Sequence, residues 1–114
     1  MEERRNRNAV ERERIKKAES VLVVGGGAVG VEVAGELANL FCINGDKGAE
    51  IKLTKRLGLV SRSEKLLPYF NEKASAAAKQ FMIDNKVELF LNTTYNETFK
   101  LDKRFDYVID CTGF

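Results

Sequence analysis

Ser20-Val21-Leu22-Val23-Val24-Gly25-Gly26-Gly27-Ala28-Val29-Gly30-Val31-Glu32-Val33-Ala34-Gly35-Glu36-Leu37 changes its hydrophobic period once, at the glycines. Before them, Ser20 to Val24 is a continuous, mostly β-branched run, the form of a parallel strand buried on both faces. After them, Val29, Val33, Leu37, Leu40 and Phe41, with Ala34 and Ala38 beside them, recur at helical spacing to about Phe41. The junction is a GxGxxG in which each glycine has its own task. Gly25 turns the chain tightly, Gly27 clears the approach of a pyrophosphate, and Gly30 lets the helix pack closely on the strand. A helix starting near Ala28 aims its unbonded N–H groups and the positive end of its dipole above the loop. Three glycines at these offsets exceed what a plain turn needs. Gly25, Gly26, Gly27, Ala28, Val29 and Gly30 are therefore read as the seat of a dinucleotide pyrophosphate.

Outward from that unit the alternation continues. Glu2 to Glu19 is rich in Arg, Glu and Asn, with apolar residues only at Ala9, Val10, Ile15 and Ala18, and reads as a solvated lead-in helix outside the core. Cys42 to Lys47, with Asn44-Gly45-Asp46, reads as a loop. The second strand is Ile51 to Leu53 or, preferred, Leu57 to Ser61. Pro68 keeps Leu66-Leu67-Pro68-Tyr69-Phe70 out of helix, and Asn71 caps a helix from Glu72 to about Asn85 whose expected buried stripe is Ala74, Ala77, Ala78, Phe81 and Met82. Val87 to Leu91 is a third strand, Asn92 to Arg104 a turn-rich stretch with a short hairpin, and Phe105 to Asp110 a fourth strand. The pattern predicts an α/β, Rossmann-like domain over residues 20–114, a central parallel sheet with helices on both faces, behind a charged helical lead-in at residues 1–19.

At 114 residues the chain supports one compact domain with a modest core. Charged residues are 32% of the sequence, yet the formal net charge is only +2, which argues against a nucleic-acid-binding surface. No apolar run reaches the roughly 18 residues that span a bilayer, and Met-Glu-Glu-Arg-Arg does not open a signal peptide. A cytoplasmic setting is expected, with peripheral membrane attachment left open. Cys42 and Cys111 form neither a CxxC pair nor a zinc set and are read as buried, reduced thiols. With no histidine in the chain, neither a metal site nor hydrolytic catalysis is expected.

Nucleotide choice is read at the tip of the second strand, where a carboxylate bonds the ribose of NAD and a basic group meets the 2′-phosphate of NADP. One register ends Val60-Ser61-Arg62-Ser63, the other Thr54-Lys55-Arg56, and neither offers a carboxylate. A hydroxyl beside a guanidinium suits a 2′-phosphate. A solvated loop arginine explains Arg62 equally well, so both nucleotides stay open, with a lean toward tolerance of NADPH.

The continuation Val31-Glu32-Val33-Ala34-Gly35-Glu36-Leu37 is the telling part. With the loop before it, it resembles the nicotinamide-nucleotide subdomain of the FAD-dependent pyridine nucleotide-disulfide oxidoreductase superfamily. The lead-in ending Ile15-Lys16-Lys17-Ala18-Glu19-Ser20, the Lys65-Leu66-Leu67-Pro68 segment ahead of a helix, and the closing Asp106-Tyr107-Val108-Ile109-Asp110-Cys111-Thr112-Gly113-Phe114 are most similar to one branch. That branch holds apoptosis-inducing-factor-like and ferroptosis-suppressing flavoproteins and, more distantly, type II NADH dehydrogenases. The resemblance covers most of Ile15 to Phe114.

It implies a two-dinucleotide flavoprotein, in which NAD(P)H bound here passes hydride to FAD held by a separate flavin domain, and the flavin reduces a quinone or similar acceptor. By the same resemblance, Gly25, Gly27 and Gly30 cradle the pyrophosphate, Glu32 lies toward the nicotinamide and flavin, and Ser61 with Arg62 faces the adenosine ribose. Thr112 and Gly113 match the turn that returns the chain to the flavin domain. For Glu32, a carboxylate favoured by the positive end of the helix is the competing explanation. No catalytic side chain is expected. Two departures stand out: the segment between the glycine-loop helix and Ser61 is longer than in the family, and Asn92 to Arg104 is shorter. The flavin domain's own glycine fingerprint is not among these residues, so the chain alone is expected to bind nucleotide without turnover. A truncated non-catalytic nucleotide-binding module and a single-Rossmann regulatory domain are the competing readings.

Overall fold

β-branched runs separated by helical periods fold here into one parallel sheet. A computed structural model describes residues 2–43 and 52–112. Its elements are α1 (Glu2–Lys17), β1 (Ser20–Val24), α2 (Ala28–Phe41), β2 (Arg56–Val60), α3 (Glu72–Asp84), β3 (Glu88–Phe90), α4 (Glu97–Lys103) and β4 (Tyr107–Asp110). The strand order is β3-β2-β1-β4, every neighbouring pair parallel. The central strand β1 is buried along its whole length, as its unbroken apolar run requires. The second strand is the later of the two considered. Leu53 makes only an isolated antiparallel bridge with Cys42, while Ile51 and the Asn44-Gly45-Asp46 turn lie outside the described residues.

Alternate side chains feed two cores. Val21, Val23, Leu57 and Leu59 meet Ala34, Leu37, Ala38 and Phe41 of α2, with Met82 and Ile15, on one face. Leu22, Val24 and Val60 meet Phe99 of α4 on the other. Each buried Val, Leu, Ile, Phe or Met among them contributes about 1.5–3 kcal/mol, so the sheet is held from both sides.

Four expectations change. Asn92 to Arg104 contains helix α4, not a hairpin: Asn96 Oδ1 accepts from the Phe99 N–H at 2.9 Å, and Arg104, at φ 45°, closes the helix. Phe99 is buried beneath it, its ring edge-to-face with Phe90 at 5.1 Å. The buried face of α3 is turned relative to the expected stripe. Ser75 and Met82 are buried, Ala74 and Ala78 half-buried, and Ala77 and Phe81 exposed, because the sheet is approached along the 75–78–82 line. On α2, Leu40 is 68% exposed, since Leu37, Ala38 and Phe41 already fill the contact with the sheet. Ile15 belongs to the main core, so α1 is more than a solvated lead-in. Lys55 draws it in, donating through Nζ to the Ile15 and Lys16 carbonyls at the carboxyl end of α1 while lying over the Phe41 ring.

At the amino ends of the strands one arginine ties three elements. Arg56 pairs with Glu88 through Nε at 2.6 Å and Nη2 at 3.1 Å, donates through Nη1 to the Lys103 carbonyl at 2.6 Å, and stacks 4.1 Å from the Phe105 ring centre. Phe105 reaches the sheet only because position 58 is glycine: a Cβ there would sit 2.7 Å from its ring. No helix among the described residues is long and apolar enough to cross a membrane.

Candidate functional site

The chain moves from β1 through α2 and β2 to β3 on one side of the sheet, then returns through α4 to place β4 on the other side of β1. The strand order thus reverses between β1 and β4, and the carboxyl ends of these strands mark the switch point at which ligands bind to open parallel sheets. The glycine loop lies there.

Hydrogen bonds carry the sheet up to the loop's edge: Cys111 N–H to the Val24 carbonyl and Gly25 N–H to the Val60 carbonyl, both 2.8 Å. The chain then turns at Gly25 with φ +120°, a conformation L side chains rarely adopt, and a Cβ there would also press on the Cys111 carbonyl at 3.3 Å. At Gly30 a Cβ would fall 1.8 Å from the Gly25 carbonyl oxygen, so α2 packs against the strand end at a distance only glycine allows. Gly26 is buried, and a Cβ there would meet Ser61 Oγ at 2.5 Å. Gly27 differs from all three: it is exposed, and nothing lies within 4 Å of where its Cβ would be.

That open position is the N-cap of α2, with no side-chain cap and no acid in the first turn. The N–H groups of Gly26 and Gly27 donate to no acceptor among the described residues, and helix geometry leaves the first-turn N–H groups of α2 without partners inside the helix. Ala28 is exposed and Val29 half-buried against the core. A patch of free donors at the positive end of a helix, cleared of side chains, suits an anion.

The other expected residues divide. Thr112 is brought to the loop, its Cγ2 3.5 Å from a Cβ built on Gly25. Its N–H and Oγ1 donate to Asp110 Oδ1 at 2.9 and 2.5 Å, and these bonds hold the Asp110 carboxyl below the usual carboxylate range. Gly113 lies outside the described residues. Glu32 is exposed on α2, beyond its first turn, which weakens a purely capping role. Arg62 stands exposed at the tip of β2, with no ion pair to another described residue. Ser61 is buried: its Oγ accepts from the Ser63 N–H at 3.3 Å and fills the space beneath Gly26. Cys111 is buried below the loop, and burial, with the Asp110 charge beside it, pushes its thiol up. Two residues not anticipated at the loop are Leu66, 1% exposed and 3.2 Å from a Cβ built on Gly26, and Leu67, whose N–H donates to the Gly26 carbonyl at 2.8 Å. No local sequence pattern announces either contact.

The family model described as pyridine nucleotide-disulphide oxidoreductase matches residues 2–113. Apoptosis-inducing factor homolog A of Dictyostelium discoideum is 36% identical over 81 residues, covering 70% of this chain and 19% of its own length. Among solved structures, NDH2 from Plasmodium falciparum in complex with NADH superposes with a TM-score of 0.64 at 25% identity, over 89% of this chain and 24% of that one. The water-forming NADH oxidase from Lactobacillus brevis, bound to NADH, gives 0.66 at 21% identity, over 89% of this chain and 22% of that one. The chain spans about a fifth of the length of the curated relatives it matches. With a glycine loop at the switch point of a parallel sheet and a family match along nearly its whole length, the chain belongs to the pyridine nucleotide-disulphide oxidoreductase family.

Proposed function

We propose that residues 20–114 are the nicotinamide-nucleotide-binding part of an FAD-dependent NAD(P)H oxidoreductase. The pyrophosphate lies over Gly25 to Gly30 at the amino end of α2, the adenosine ribose toward Arg62 with Ser61 buried beneath the loop, and the nicotinamide toward Glu32 and the turn at Thr112 and Gly113. One observation carries the reading: of the loop glycines, only Gly27 faces open space, and it does so where unbonded N–H groups converge. Bound at this site, reduced nicotinamide would supply a hydride to FAD held by a separate flavin domain, with a quinone as the proposed final acceptor. The residues of this chain bind, orient and neutralise, and no side chain moves a proton. Holding the two rings in contact can be worth on the order of 7–11 kcal/mol of barrier. A polypeptide of these 114 residues therefore binds nucleotide without turnover, and NADH-dependent quinone reduction by it with added FAD would overturn this. Arg62, exposed at a strand tip without a carboxylate, favours tolerance of NADPH as well as NADH.

Replacing Gly27 with Leu tests the assignment. Position 27 is exposed and a Cβ there meets nothing within 4 Å, so the circular-dichroism spectrum stays native while NADH affinity, read by fluorescence titration, falls at least tenfold. Unchanged affinity in a folded variant would remove the glycine loop from the site.

A further inference from the structure

Leu67 carries an unexplained strain. It sits at φ 52°, where a branched aliphatic side chain is unfavourable, in an apolar segment that leaves Tyr69 99% and Phe70 56% exposed. Its N–H donates to the Gly26 carbonyl at 2.8 Å, and its neighbour Leu66 is buried against the same glycine. Strain at a specific backbone contact calls for a function.

The peptide unit between Gly26 and Gly27 is planar and trans, so its carbonyl and N–H point in opposite directions. It is one of two units in the loop flanked by glycine on both sides, which leaves both their flanking dihedrals permissive. The Val24–Gly25 unit is fixed by bonds to Cys111 and Val60, the Gly25–Gly26 unit has its carbonyl packed against Gly30, where a Cβ would lie 1.8 Å from the oxygen, and the Gly27–Ala28 unit is held by the Val31 N–H on the Gly27 carbonyl at 3.0 Å. Among the described residues, the Gly26–Gly27 unit is held by the Leu67 N–H alone. With the Gly26 carbonyl turned toward Leu67, the Gly27 N–H faces away from the β2–α3 connection, on the loop's unpartnered side.

We propose that Leu67 is a positioning residue for the nucleotide site: its N–H locks the Gly26–Gly27 peptide in the orientation that presents the Gly27 N–H to the pyrophosphate. This rests on the glycine loop being the pyrophosphate seat.

The test replaces Leu67 by its α-hydroxy acid in the full 114-residue chain, removing this one donor and keeping the side chain. Nitrogen-15 relaxation dispersion at Gly27 is expected to go from quiet in the parent to millisecond exchange in the ester, and saturating NADH suppresses that exchange. NADH affinity falls about fivefold, the scale of one neutral hydrogen bond. The conservative Leu67→Asn, which keeps the donor and tolerates positive φ, restores the quiet Gly27 signal and the parent affinity. A weaker acceptor, a Gly26 thioamide, gives the same exchange at smaller population and serves if the ester chain does not fold. A quiet Gly27 in the folded ester or thioamide overturns the proposal whatever the affinity, since a merely structural bond would lower stability without freeing that peptide. A parent chain that binds no NADH is a different result: it overturns the site assignment and, with it, this role for Leu67.

Discussion

Replacing Gly30 with alanine should be the most damaging single-methyl change at the loop. Helix propensity alone would make it favourable by about 1 kcal/mol, because glycine inside a helix is costly. Packing reverses the sign. The new Cβ would sit 1.8 Å from the Gly25 carbonyl oxygen and 2.8 Å from its carbon, where ordinary contact begins at 3.4 Å. Neither partner is a side-chain tip that can swing away: one is the backbone of a turn fixed by the Gly25 N–H to Val60 bond, the other the buried face of α2. The start of α2 must therefore move off β1 by more than an ångström, opening the contact near Ala34. Overpacking of this kind costs about 1–3 kcal/mol and more when backbone yields, so the net loss should be about 2 kcal/mol. For a chain of this size that corresponds to a fall in Tm of roughly 8 °C. Thermal and urea melts by circular dichroism read the stability, and NADH titration below the transition reads the cradle, where affinity should drop at least tenfold. A Tm within 2 °C of the parent, roughly 0.5 kcal/mol, would refute the close approach of helix and strand. A large Tm loss with parent affinity would refute the coupling of that approach to the site.

Three further outcomes are expected. Arg56→Met removes the Glu88 pair, the bond to the Lys103 carbonyl and the stack on Phe105, but the pair is more than a third exposed. The loss should be only about 1–2 kcal/mol by urea midpoint and should persist in high salt, because the carbonyl bond and stacking dominate; a loss abolished by salt would assign it to the ion pair instead. Asp110 is held below the usual carboxylate range by Thr112, so its contribution to stability is complete above the unfolded pKa of about 3.9 and is lost as pH falls through the lower folded value. Thr112→Val should move the Asp110 titration upward in carboxyl carbon-13 NMR, and an unmoved midpoint counts against the hydroxyl bond. Cys111, buried with its thiol pushed up, should resist iodoacetamide in the native chain at neutral pH and react on unfolding; rapid native labelling, read by peptide mass mapping, would contradict its burial.

How much of this was legible depended on whether a residue's partner is near in sequence. The β1–loop–α2 unit could be read because Gly25, Gly27 and Gly30 each solve a local geometric problem, and the structure shows φ +120°, open space and a 1.8 Å approach at those three positions. Asn71 was readable as a cap for the same reason: its Oδ1 accepts from the Ala74 N–H three residues on. Helix α4 carried comparable cues, Asn96 and Glu97 at its start and Lys100 and Lys103 in its last turn, but seven residues give too short a period to outweigh polar composition. The faces of α2 and α3 and the place of Ile15 were set by neighbours far away in the chain. Leu40 fits the period of α2 yet points outward, because a parallel sheet meets a helix along a narrow line and Leu37, Ala38 and Phe41 occupy it.

The strand tip shows the same limit at the site. A hydroxyl beside a guanidinium in sequence suggests two side chains facing one ligand, but β2 is pleated, and consecutive residues at its end part company. Ser61 turns inward, accepts from Ser63 and occupies the volume beneath Gly26; Arg62 is exposed, with no ion pair to another described residue. The middle glycine of the triplet, which the GxGxxG pattern leaves unspecified, thereby acquires a reason: any Cβ at position 26 would contest the space held by Ser61. Positions 26 and 61 are therefore coupled, and Ser61 supports the glycine loop from below. The exposed group at the tip is Arg62, and the proposed tolerance of NADPH rests on it. Arg62→Ala should weaken NADPH more than NADH, and equal losses would remove Arg62 from that choice.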